Sequence, residues 1–175
     1  MAENALTFHN LRKVLEEYGQ KAQELYKYNL ALKGKNASRK LADSVEYKVT
    51  ENDQAFTVSL SLEEYWRYIE HGRKPGKFPP SDAILSWINV KPILPRPMMS
   101  ASVSGLGHKN TRIPKPEQLA YLIGRKIARD GIEPTPIMAT TSKQVYDQFL
   151  ADIRIALKQD IDDYFSVVTV KRLSL

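Results

Sequence analysis

The segment from Val45 to Ser61 constrains the fold more than any other. Val45, Tyr47 and Val49 alternate with Glu46, Lys48 and Thr50, and Phe56, Val58 and Leu60 then alternate with Thr57, Ser59 and Ser61. A period of two turns one face of each strand to a core and the other to water. The short link Glu51-Asn52-Asp53-Gln54 makes the pair an antiparallel hairpin, about 44–61. Two strands alone are marginal in water, so the rest of the chain has to cover their apolar face.

The cover is expected from helices. From about Ala5 to Leu30, Leu11, Val14, Tyr18, Ala22 and Leu25 recur at steps of three and four, with Lys13, Glu16, Glu17, Gln20 and Lys21 on the other face. Lys33 to Lys40 follows as a basic connector, with Gly34 as a helix terminator and a helical turn from Ala37 or Ser38 to Ala42. Ser61 stands three residues before Glu64, the capping-box spacing, and so opens a helix over about 62–71 that stops at Gly72. Ser81 caps a short helix over about 82–89 that buries Ile84, Trp87 and Ile88, and Pro92 prevents its continuation. Pro116 and Glu117 suit the first turn of a helix over about 116–130, with Leu119, Ile123 and Ile127 inside, Arg125, Lys126 and Arg129 outside, and Gly131 as the stop.

A last helix over about 142–159 carries Val145, Phe149, Ile153 and Leu157 at steps of four. The β-branched run Ser166-Val167-Val168-Thr169-Val170 suits one more strand, in a C-terminal extension over about 164–175. Lys91 to Lys115 shows no consistent period. A stretch that long is usually functional, and it reads as an irregular projecting loop, about 91–115, that orders against a partner. The fold class is therefore α+β: one domain over 1–175, its long N-terminal helix packed on a small antiparallel sheet made of the hairpin and the C-terminal strand.

Composition narrows the chemistry. With no cysteine in 175 residues, disulfides, thiol nucleophiles and iron–sulfur clusters are excluded. His9, His71 and His108 are far apart and show no metal-ligand spacing. Met1 to Phe8 has neither a basic region nor a long apolar one, and no run approaches the roughly 18 apolar residues that cross a bilayer, so the chain is expected to be made in the cytoplasm and to meet no membrane. The formal net charge of +6 permits contact with DNA or an acidic protein and requires neither.

Motifs of catalysis are missing or incomplete. Gly72 to Lys77 resembles a phosphate-binding loop, but it is one residue short, lacks the hydroxyl, and meets Phe78-Pro79 where a helix should open. Glu63 and Glu64 sit in a helix's opening turn, where acids stabilise the dipole in any case. Asp160, Asp162 and Asp163 form the densest acidic cluster, at the wrong end of a helix for negative charge. Either that helix stops by about Gln159, which is the expectation, or the cluster faces something basic. The basic stretches Lys33–Lys40, Arg73–Lys77 and His108–Arg112 have no interleaved aromatics, so they read as solvated surface before phosphate contacts, and not as a stacking platform. No catalytic, cofactor-binding or metal-binding residue is nominated.

Four boxes, in a fixed order over about 37–140, carry a resemblance. They are Ala37-Ser38-Arg39-Lys40-Leu41-Ala42-Asp43-Ser44-Val45; Tyr65-Trp66-Arg67-Tyr68-Ile69-Glu70-His71-Gly72-Arg73-Lys74-Pro75 with its sequel through Pro80; Ile84 to Lys91; and Leu119 to Pro134, with Ile123, Arg125, Ile127, Gly131 and Pro134 as its fixed points. In this order they resemble the head–tail connector and tail-completion (neck) proteins of tailed bacteriophages. Ser38-Arg39-Lys40 replaces that family's Thr-Gly, the 91–115 loop is long, and the tail after Asp163 is extra.

The resemblance implies a structural, non-enzymatic virion protein that forms a ring homo-oligomer in the neck or tail region. Its neighbours would be portal, connector or tail proteins, with DNA passing through the lumen and open to sequence-independent contact. A ring interface is head-to-tail, so two different faces must adhere: the exposed part of the first helix, the 91–115 loop and the C-terminal strand are the candidates. The alternative is a DNA-binding accessory protein without sequence specificity, and a weaker one is a small carboxylate-dependent nuclease.

Overall fold

The computed structural model describes residues 7–52, 55–91, 98–99, 111–112 and 114–173. Its elements are α1 (His9–Leu32), α2 (Lys40–Asp43), β1 (Glu46–Glu51), β2 (Phe56–Ser61), α3 (Trp66–Glu70), α4 (Ser81–Val90), β3 (Met98–Met99), β4 (Thr111–Arg112), α5 (Pro116–Asp130) and α6 (Ile137–Leu173). They group into two compact units. Unit 1 holds 1–35, 40–66 and 136–175; unit 2 holds 36–39 and 67–135.

Unit 1 is α+β. Its hairpin pairs β1 and β2 antiparallel, from Glu46 opposite Ser61 to Glu51 opposite Phe56. Asn52 closes the turn, donating its N–H to Ala55 O and accepting the Ala55 N–H on its side-chain oxygen. The long N-terminal helix covers this sheet, as alternation in the strands demands. Gly19 lets the Tyr47 ring lie against the helix backbone, the Gln23 side chain donates to Val45 O, and Phe8 meets Phe56 edge-on at 5.7 Å.

Helix α1 also packs along α6, antiparallel: Asn10 meets Asp160, Tyr18 stacks on Phe149 at 3.8 Å, and Asn29 reaches Thr141. Two neighbours need two faces. Leu11, Leu15, Ala22, Tyr26 and Leu30 are the buried apolar residues of α1, whereas Val14, Tyr18 and Leu25 of the expected stripe are half-buried. The sheet-facing Gly19 and Gln23 carry no apolar signal, which is why one stripe alone is visible in the sequence.

Unit 2 is built mainly from α4 and α5, which pack on each other. Helix α5 has the expected limits, with Pro116 at its first position and Gly131 as its C-cap at φ +79°. The Lys115 N–H donates to the Gln118 side chain at its start. Trp87 is a correction: α4 buries Ile84, but Trp87 stays 40% exposed with Lys91 Nζ 5.4 Å from its ring centroid.

Three other expectations change. The capping box at Ser61 does not form, because Ser61 is the last residue of β2; the Glu63 N–H instead donates to Ser44 Oγ, and α3 spans only Trp66–Glu70. Helix α6 begins at Ile137, not near Ser142. The hydroxyls of Thr140 and Thr141 donate to the carbonyls of Pro136 and Ile137, one turn back along the chain.

The C-terminal strand is absent. Residues 166–170 continue α6, which runs on to Leu173. β-branching costs a helix only tenths of a kcal/mol per residue, so extending an established helix outweighs it.

Most of the expected 91–115 loop lies outside the described residues. Within it, Met98 pairs with Arg112 and Met99 with Thr111, so the segment holds a short antiparallel ladder where no regular structure is expected.

Candidate functional site

Two places bring chemistry-bearing residues together, one in each unit. In unit 1 it is the acidic cluster. Phe8, at the N-cap of α1, has no side chain able to accept the helix's free amides. Asp160 supplies the acceptor from α6: Oδ1 accepts from the Asn10 N–H at 2.8 Å and its side-chain amide at 2.9 Å, and Oδ2 accepts from the Leu11 N–H at 2.9 Å.

Asp163 accepts from the same Asn10 amide at 3.3 Å. Asp160 is only 2% exposed, so its charge is offset by the positive end of a helix rather than by a base. The cluster is thus neither beyond a helix end, as expected, nor opposite a basic side chain. Its role is to hold α1 in register on α6. Beside it, an open groove of about 300 Å³ runs between Asn10, Lys13 and Glu17 of α1 and Asp152, Ile155 and Gln159 of α6. Its mixed charges favour no ligand of one sign.

In unit 2 the Gly72–Lys77 turn is fixed against the end of α5. Arg73 and Ile132 exchange both backbone hydrogen bonds, at 2.9 and 2.8 Å. The Thr135 N–H donates to Ile69 O, and the Gly76 N–H donates to the free carbonyl of Ala128, both at 2.7 Å.

Gly72 and Gly131 stand at the heart of this clasp, at φ +69° and +79°. A Cβ on Gly72 would strike Ile132 O, and one on Gly131 would strike Arg73 O. Each glycine makes room for the other's segment. The Gly-Arg of the second box and the Gly-x-x-Pro of the fourth are therefore one structural device.

The clasp also gathers charge. Gly76 is anchored at Ala128, and Phe78 lies against Gly124 and stacks with Tyr121 at 5.9 Å, so Lys77 runs between those points along α5. Lys74 and Lys77 of the turn, with Arg125 and Lys126 of the helix, are exposed. None of these four is in a salt bridge with a described residue, but Lys126 acts electrostatically on Asp130.

Arg129 forks onto Asp130 at 2.6 and 2.8 Å, which holds that carboxyl below its ordinary pKa and the guanidinium above its own. Arg73 donates to Lys77 O at 2.7 Å and so braces the turn. Tyr121 is 58% exposed. The sequence shows Arg73–Lys77 and the outward Arg125, Lys126 and Arg129 separately; the fold sets the turn against the Tyr121, Gly124 and Ala128 side of α5, beside Arg125 and away from Lys126. The signal that was there to read is Tyr121, Arg125 and Arg129 at steps of four.

The other sequence candidates stay apart. His9 opens α1, His71 follows α3, and His108 lies outside the described residues. Among the described residues, no three His, Asp or Glu side chains gather as a metal site would, and no helix is long and apolar enough to cross a membrane. No family model, no curated protein and no solved structure matches the chain.

Proposed function

We propose that this protein is a structural, non-enzymatic subunit of the neck or tail-completion ring that joins a tailed phage's head to its tail, with DNA passing through the lumen. The observation that supports this reading is the reciprocal glycine clasp. The second and fourth boxes of the resemblance are far apart in sequence, yet they meet residue by residue in one backbone bridge between Arg73 and Ile132. Residues that a family's pattern keeps together have a physical reason to be kept together here. The ring would join copies head-to-tail through two different faces of each subunit, with portal, connector or tail proteins as neighbours.

Mass spectrometry and immunolabelling of purified particles of the phage that encodes this chain test the reading. The protein is expected in mature particles, at several copies each, with label at the neck or tail. Absence from particles that carry their other structural proteins overturns it.

A further inference from the structure

Among the described residues, the sheet of unit 1 stops at two strands. The further strand expected at the C-terminus is part of α6, and a two-stranded sheet is marginal without more cover. That cover is incomplete. Phe56, Val58 and Leu60 of β2 are only half-buried, and α1 packs more extensively on β1 than on β2. Residues 56–61 make no backbone hydrogen bond to any described segment other than β1, so the outer edge of β2 is open.

The two edges of the sheet differ in charge. Strand β1 carries Glu46, Lys48 and Glu51, and Arg12 of α1 pairs with Glu51 at its end. Strand β2, Phe-Thr-Val-Ser-Leu-Ser, carries no charge at all. Charged side chains are a common device that keeps an edge strand from pairing. The β1 edge is guarded in this way and the β2 edge is not.

We infer that the β2 edge pairs antiparallel with the β2 edge of a second copy of this chain, giving a four-stranded sheet about a two-fold axis. Directly opposite residues of an antiparallel pair share a face. With Ser59 opposite its own copy, Thr57 meets Ser61 on the polar face and Val58 meets Leu60 on the apolar face. Hydroxyls then face hydroxyls, aliphatic side chains face aliphatic side chains, and no like charges are opposed. The same pairing of β1, centred on Lys48, would set two cations against each other. Both copies present their apolar rows on one side, so Val58 and Leu60 gain the neighbours that α1 alone does not supply. The contact is isologous, unlike the head-to-tail contacts of the ring reading, and does not depend on that reading.

Sedimentation equilibrium of the full chain, with cysteine cross-linking, tests the inference. A contact of six residues a side is a small interface, so a dimer of twice the 20.0 kDa chain mass is expected at about 100 µM protein. Ser59→Glu should halve the parent's mass. It opposes two carboxylates across the axis, while within its own hairpin the new side chain faces Lys48. Ser59→Thr keeps the hydroxyl and should keep the parent's mass. Circular dichroism checks that both variants retain the parent fold.

The chain has no cysteine, so Ser59→Cys and Lys48→Cys each carry a single thiol, both at exposed positions of the polar face. Under mild oxidation Ser59→Cys should yield a disulfide-linked dimer, since Cα atoms of opposite residues lie about 4.5–5.5 Å apart, within reach of that bond. Lys48→Cys should stay largely unlinked. A monomeric parent overturns the inference. So does a folded Ser59→Glu variant with the parent's mass, or equal cross-linking at the two positions. Absence of the protein from phage particles, by contrast, removes the ring reading and leaves this result standing.

Discussion

The two units solve the problem of stability in opposite ways. Unit 1 relies on side chains: α1 lies along α6, with Leu15, Ala22, Tyr26, Leu30, Val145 and Ala156 buried and with Asn29 and Asp160 satisfied inside. Unit 2 relies on backbone: short elements are held by a glycine clasp, and few of its large side chains are fully buried, Ile84 being one. A fold secured by main-chain bonds leaves its surface free to carry like charges. A fold secured by a long helix pair needs both signs along its outer face, where i,i+4 pairs such as Lys13–Glu17 support the helices.

The largest expected effect comes from breaking the clasp. Gly131→Ala places a Cβ on the Arg73 carbonyl at a φ of +79°, so both overlap and backbone strain oppose it. A loss of about 3–5 kcal/mol is expected, in the range of strained backbone combined with a steric clash. Gly34 also has a positive φ, +63°, but open space around its Cβ position, so Gly34→Ala should cost only about 1–2 kcal/mol. Chemical denaturation measures the difference. Hydrogen exchange should show protection lost first in α4 and α5, and uniform loss across both units would break the comparison.

Next in size is the inter-helix cap. Asp160→Ala leaves the Asn10 and Leu11 amides of α1 without an acceptor in a buried position. The expected cost is about 2–3 kcal/mol, the upper range for a lost cap with desolvated donors. For a chain of this size that lowers the melting temperature by roughly 4–12 °C. Asp163→Ala removes one weaker, exposed bond at 3.3 Å and should change little. Equal effects from the two would show that general acidity, and not the cap, matters.

The same contrast decides what could be read from sequence. The hairpin was legible because alternation over Val45–Ser61 records one wet face and one dry face directly. Helix α5 was legible because proline and glycine mark both of its ends. Helix α6 was legible only in its middle: its buried residues are Ile137, Thr141, Val145, Ala156 and Asp160, so burial reaches beyond the expected ends and includes an acid that looks like a solvent-facing position. The partners of Asp160 are amides of another helix about 150 positions away, which no local pattern reveals. The seat of the Gly72–Lys77 turn on α5 was hidden for a related reason, since a loop and a helix more than forty residues apart meet through backbone bonds at Gly76 and Arg73 and through the Phe78–Tyr121 stack.

Asn29 gives a smaller test of the side-chain unit. Its buried amide donates to Thr141 Oγ1 at 3.0 Å and to Gln144 Oε1 at 2.9 Å, where α1 nears its end. Asn29→Ala leaves the Thr141 hydroxyl with its own bond to Ile137 O, so the network is reduced rather than orphaned. The expected cost is about 1–2 kcal/mol by denaturation. A value near that of Asp160→Ala would mean that the two ends of the helix pair are equally dependent on polar contacts.

The smallest effect is one of pH, and it separates the units by a titrating group that only one of them buries. Tyr18 stacks on Phe149 between α1 and α6, and partial burial raises its phenol pKa above the ordinary value near 10. The folded chain therefore holds this proton to higher pH than the unfolded chain does. Where the unfolded phenol has lost its proton and the folded one has not, the folded state binds more protons, so stability falls as pH rises. The contribution is intact below about pH 10 and declines from there up through the raised value. Tyr18→Phe keeps the stack and removes the ionisation. Melting temperatures of the variant should match the parent at pH 8 and exceed it slightly at pH 11; parallel curves across that window would show that the phenol titrates as freely in the folded helix pair as in the unfolded chain.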